Sequence, residues 1–156
     1  MRVGFVIAPD VVASKMVVSK QTSDVHTNLF FQILCHRYMT ECDIDGHIKD
    51  IQDIYRHKCN LMLDSLESEM PRAVKFTRPE GGLFILCTLP DSVDATAFIK
   101  EAAARNVRVV PGATFDCDTS AVSQSFRLNF STPSDAQIVD GIRILSSIAR
   151  EFGIDS

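Results

Sequence analysis

The feature that most constrains this chain is a single helical period running unbroken for about 25 residues up to Met70-Pro71. Ile48, Ile51, Ile54 and Tyr55, then Leu61, Met62, Leu63 and Leu66, recur at three- and four-residue steps, and Asp43 or Asp45 offers the cap. The proline stops it, because the residue before a proline is pushed out of the helical region. A helix of that length exceeds the usual three to four turns. It suits an element bridging two structural units better than one packed on a small core, so the stretches on either side are read separately.

On the N-terminal side, residues 3–8 (VGFVIA) read as a short buried strand stopped by Pro9-Asp10. From residue 11 to about 40 the pattern is helical, with Val12, Met16 and Val17, then Leu29, Phe30, Ile33, Leu34 and Tyr38 on the apolar positions. The polar residues 19–24 are expected to divide it in two. On the C-terminal side, residues 74–77 and 83–88 read as a hairpin around residues 78–82 (RPEGG). Asp94 caps a predicted helix over 95–105 that Asn106 ends. Residues 107–110 form a short strand stopped by Pro111-Gly112, and residues 125–130 (SFRLNF) an alternating one. Ser134 or Asp135 then opens a terminal helix with Ile138, Ile142, Leu145, Ile148 and Ala149 on its face. Strands interleaved with helices, with too few long crossovers for a full parallel sheet, give an α+β sandwich: a small antiparallel-rich sheet with helices on one face.

Composition removes several function classes. In the 156 residues, 46% hydrophobic and 23% charged content supports a packed core. A net charge of −4, with no long run of Lys or Arg, gives a nucleic acid or anionic membrane no electrostatic purchase. No apolar stretch reaches the roughly 18 to 20 residues that span a bilayer. The apolar run after Met1-Arg2 is too short for a signal peptide. Five scattered cysteines (Cys35, Cys42, Cys59, Cys87, Cys117), without a C-x-x-C pair, make neither a disulfide framework nor a zinc site. They suit a reducing compartment, the cytoplasm or the mitochondrial matrix. The four histidines form no H-E-x-x-H pattern, and residues 131–134 (STPS) are turn and cap chemistry rather than a nucleophile elbow.

Four short segments, in order, carry a family resemblance. Residues 2–5 (RVGF) resemble the R-x-G-[FY] run that follows the cofactor-carrying lysine of class I and II aminotransferases. Residues 79–84 (PEGGLF) resemble their P-x-G-G-x-F turn, residues 109–115 (VVPGATF) their v-x-P-G-x-x-F segment, and residues 125–131 (SFRLNFS) their [IL]-R-L-[NS]-[FY]-[SA] strand. Singly each is common; four in order from residue 2 to about 131 are specific. The chain thus resembles the C-terminal part of a fold-type I, pyridoxal phosphate-dependent aminotransferase, closest in flavour to the 2-aminoadipate and kynurenine aminotransferases.

The resemblance implies roles for two arginines. Arg127 matches the arginine that holds the substrate α-carboxylate, a two-pronged pairing that fixes position and rotation together. The strand pattern alone favours a plainer reading, an edge-strand cation facing water; the ordered motifs favour the cleft, with Asn129 on the same face. Arg2 matches the arginine that contacts the cofactor phosphate, though directly after Met1 it also reads as a frayed terminal residue. Gly81-Gly82 and Pro111-Gly112 read first as turns, Gly4 as close backbone packing and Phe115 as core.

No catalytic residue is expected in this chain. The Schiff-base lysine of such enzymes lies a few residues before the R-x-G arginine, which here falls upstream of residue 1, and neither Lys15 nor Lys20 has its context. The implied organisation is a large-domain remnant over 1–44, an interdomain helix over 45–70 and the small domain over 71–156. Pyridoxal phosphate is expected in the complete enzyme and not on this chain alone, with an amino acid and a 2-oxo acid as substrates and a homodimer as the assembly. The alternatives are another fold-type I activity such as a lyase or decarboxylase, the aminotransferase-like domain of a transcription regulator, or a free-standing binding remnant.

Overall fold

The computed structural model describes residues 2–117 and 123–154; Met1 lies outside them. It divides into two compact units, residues 1–50 and 51–156. In the first, α1 (Asp10–Ser23) and α2 (Leu29–Glu41) are followed by the start of α3 (Ile44–Glu69), which continues into the second unit. The Asp43 carboxylate accepts from the Gly46 amide at 2.9 Å and so caps α3. The two helices are divided at residues 24–28 rather than 19–24. The hydroxyls of Thr22 and Ser23 bond back to the Ser19 carbonyl at 2.8 and 2.9 Å, so the polar residues stay helical. The chain turns instead at Val25, with φ 64°, and restarts where Asn28 accepts from the Phe31 amide.

Residues 3–8 form no strand, contrary to the sequence expectation. A strand is stabilised by the partner that takes its amides and carbonyls, and none pairs with this segment among the described residues. Phe5 and Ile7 are 87% and 89% exposed, so it is not buried either. Gly4 has no atom within 4 Å of where a Cβ would stand, which rules out the close packing expected of it.

The second unit holds a four-stranded antiparallel sheet in the order β1 (Lys75–Phe76), β2 (Phe84–Thr88), β4 (Ser125–Asn129), β3 (Val110–Pro111). The hairpin turns at Gly82, whose φ of 86° favours a residue without a Cβ. Pro111 sits on the edge strand, where its missing N–H removes nothing from the ladder. Gly112 is different: a Cβ there would lie 2.7 Å from the Ser125 carbonyl oxygen, so the backbone approach itself demands glycine.

The pleat sorts the two faces. Ile85, Cys87, Phe126 and Leu128 point into one core with Met62 and Leu66 of α3, Phe98 of α4 (Ala95–Ala104) and Ile142, Leu145 and Ile148 of α5 (Asp135–Glu151). Phe98 stacks on Phe126 with centroids 5.5 Å apart. Asp94 caps α4, and Ser134 with Gln137 forms a capping box on α5. Both helices end in Schellman motifs, with Asn106 and Gly153 in the left-handed region and the Val107 and Ile154 amides returning to the Ala102 and Ala149 carbonyls. The α+β architecture inferred from the strand and helix order is the one observed.

Candidate functional site

The other face of the sheet carries Phe84, Leu86, Val110, Arg127 and Asn129. Register sets this grouping, since Leu86 and Val110 both pair with Arg127 and Phe84 pairs with Asn129. Arg127 therefore lies on a central strand between β2 and β3, not on an edge as the strand pattern alone suggests. It is half-buried, and among the described residues no carboxylate or other acceptor bonds its guanidinium. Instead its Cζ lies over the Phe84 ring at 3.8 Å from the centroid and over the Phe115 ring at 4.6 Å. Rings with a negative face hold a cation without occupying its N–H donors. Those donors stay available in the guanidinium plane, the geometry that pairs with a planar carboxylate.

Phe115, expected in the core, is instead 50% exposed, as the residue that closes a short 3₁₀ turn over Gly112–Thr114. No alternation carries through such a turn, so the ring contact is not legible from the pattern. Phe84 is 38% exposed. Its place is readable in retrospect from the pleat, because it stands two residues before Leu86 on the same face. Asn129 is exposed on that face too, but its Oδ1 already accepts from the Ser131 amide and hydroxyl, each at 2.7 Å.

A cleft of about 460 Å³ opens beside the hairpin turn, lined by Tyr55, Cys59, Glu80, Gly81, Gly82 and Phe130 among others. Burial pushes the Cys59 thiol up from its ordinary value, so it stays protonated there. Lys58, the preceding residue, gives its ammonium to the carbonyls of Ser131 at 3.2 Å and Pro133 at 2.6 Å, tying α3 to the loop after β4.

Arg2 belongs to the first unit, residues 1–50, and Arg127 to the second. It is exposed, at φ 60°, with no bonded partner among the described residues. Its chemistry suits a phosphate oxygen, but a single guanidinium is not by itself a phosphate cradle. Lys20 is bonded to Asp24 at 2.8 Å and to Thr27 at 3.2 Å. No helix of the described residues is long and apolar enough to cross a membrane.

Comparison with known proteins bears on the same segments. The pattern that defines the family described as aminotransferase class I and II matches residues 1–145. Aromatic-amino-acid aminotransferase 1 of Thermococcus litoralis is 35% identical, over 96% of this chain and 36% of its own length. The solved structure of the multiple substrate aminotransferase of Thermococcus profundus matches with a TM-score of 0.83 at 34% identity, covering 94% of this chain and 36% of that one. LysN, the α-aminoadipate aminotransferase of Thermus thermophilus solved with N-(5'-phosphopyridoxyl)-L-leucine, also gives 0.83, at 30% identity over 94% and 37%. The chain spans about a third of the length of the curated relatives it matches. With a match that takes in all four segments and a sheet and helices that agree with fold-type I structures, the chain belongs to the class I and II aminotransferases.

Proposed function

We propose that this chain is the C-terminal portion of an aminotransferase that moves an amino group between an amino acid and a 2-oxo acid, and that Arg127 holds the substrate α-carboxylate. The observation that carries this reading is a half-buried guanidinium on a central strand, stacked on two rings and free of any carboxylate among the described residues. An arginine kept partly out of water without a counter-charge is costly unless an anion arrives to pair with it. A bound carboxylate would be gripped in one plane and one rotation, the alignment that amino transfer requires.

In the complete enzyme, Arg2 would contact the phosphate of pyridoxal phosphate, and residues 1–44 would belong with the large domain, 45–70 with the interdomain helix and 71–156 with the small domain. The cofactor supplies the electron-withdrawing ring that makes amino transfer possible. The lysine that carries it comes from outside these residues, because no lysine here stands just before an R-x-G arginine. The complete enzyme is a cytoplasmic homodimer in this reading.

The test is a chimera in which this chain replaces the matching third of a class I and II relative. It is expected to transfer amino groups from an amino acid to a 2-oxo acid. Arg127→Lys keeps the charge and loses the fork, and should lower kcat/KM by about 2 to 4 kcal/mol of transition-state stabilisation. Equal kcat/KM for the two chimeras sinks the reading. The chain alone, mixed with pyridoxal phosphate and reduced with borohydride, should yield no single stoichiometric pyridoxyl-lysine.

A further inference from the structure

We propose that Phe84 and Phe115 are positioning residues for Arg127, two rings that hold the guanidinium in place so that its N–H edge stays free for the carboxylate. The proposal rests on the carboxylate reading of Arg127. A long, charged side chain on a half-open face has several rotamers, and an anion site that leaves them all populated loses that entropy on binding. An acidic neighbour is the other common way to fix such an arginine. That solution would compete with the incoming carboxylate for the same donors, and no such neighbour contacts Arg127 among the described residues. Rings at 3.8 and 4.6 Å restrain the cation and use none of its hydrogen-bonding capacity.

Exposure supports the assignment. Neither ring belongs to the buried core; both stay on the face of the sheet that turns away from it, 38% and 50% exposed. Core packing therefore does not explain two phenylalanines there. They arrive from different elements, Phe84 as the first residue of β2 and Phe115 at the end of the turn that starts at Gly112. The left-handed Gly82 and the tightly approached Gly112 set where these two elements begin, and so where the rings stand. The glycine turns on either side of β4's neighbours thus act on the arginine through the aromatic side chains that follow them.

The experiment uses the whole chain labelled with ¹⁵N, reading the Arg127 Nε–Hε resonance (assigned by its loss in Arg127→Lys) and titrating with pyruvate as the carboxylate probe. Phe84→Leu and Phe115→Leu keep apolar volume at exposed positions. Each is expected to shift the Nε–Hε resonance out of the ring field, and Phe84→Leu to weaken pyruvate binding by about three- to tenfold. Phe84→Tyr, which keeps the ring, should restore both, while the amide signal of Phe98 in the core stays unchanged in every variant. If Arg127→Lys loses pyruvate while both leucine variants keep the wild-type resonance and midpoint, the positioning role is overturned and the carboxylate reading stands. If Arg127→Lys binds pyruvate as the wild type does, the carboxylate reading fails and takes the positioning role with it.

Discussion

Cys87 shows how strongly a single side chain can be set by its surroundings. It points from β2 into the core with no measurable exposure, and burial raises its thiol from 9.0 to about 12. A thiol whose folded value lies above its unfolded one favours folding fully below the unfolded value. That advantage drains away as pH climbs through the window between the two. Alkaline unfolding curves should therefore show stability falling between pH 9 and 12, by at most about 1.4 kcal/mol per pH unit from this group. Cys87→Ala or Cys87→Val should flatten that limb. A native-state reaction with a maleimide at about pH 7 should modify the exposed Cys42 and Cys117 and leave Cys87 untouched. Labelling of Cys87 at the rate of the other two would contradict the packing described.

Between elements, the clearest electrostatic tie joins α4 to α5. Arg105 reaches the Glu151 carboxylate with two nitrogens, one at 2.8 Å, and also bonds Glu101 at 2.8 Å. The Arg105 bond lowers the Glu151 carboxyl, with a smaller contribution from Ser147. Sign follows directly: a depressed carboxyl adds stability above its unfolded value and loses it as pH falls through the folded one. Glu151→Gln should therefore remove part of the acid sensitivity of unfolding below the ordinary carboxylate range. Because the pair is exposed, the difference between variant and wild type should shrink in high salt. An acid limb identical in both proteins would show the tie to be idle.

Elements also show what could be read in advance. The Asp94 cap, the stop at Asn106 and the hairpin around Gly82 are legible because each rests on local chemistry within four residues. The caps of α3 and α5 are legible to within a pair of candidates, of which Asp43 and Ser134 are the ones used. The strand over 3–8 is not, because its β-branched composition says what the segment would do beside a partner, and pairing is a property of two segments. The break between α1 and α2 falls later than the polar residues imply for a related reason: serine and threonine can close a helix or bond back within it, and here they bond back. At the site, Arg127 is identified by resemblance, while its ring neighbours depend on which segments the register brings together. Phe115 lies twelve residues from the arginine along the chain, on a turn that no periodicity describes.

At the scale of the whole molecule the two units differ in how they treat apolar side chains. In the second unit Met62, Ile85, Phe98, Phe126, Ile142 and their neighbours pack into one core, whereas neither α1 nor α2 buries a single residue. Phe5, Val11, Leu29 and Phe30 are each more than 60% exposed. Apolar surface on that scale drives association. Sedimentation of the chain should show concentration-dependent self-association, and replacing Phe5 and Phe30 together with serine should suppress it. A monomer across the whole concentration range, with slow amide exchange in residues 3–40, would run against this.

The ring-stacked arginine also makes the site a thermometer of its own occupancy. A cation held half out of water with rings but no anion beside it is a cost to the empty fold, which a carboxylate settling on it would offset. Anything that fits should therefore raise the melting temperature as RT ln(1 + [L]/Kd), about 2.7 kcal/mol at a hundredfold excess over Kd. If Arg127 is the carboxylate site proposed above, simple acids that differ only in what they attach to the carboxylate can be ranked by heat alone, with no cofactor and no turnover, and equal melting temperatures with and without them would count against that reading.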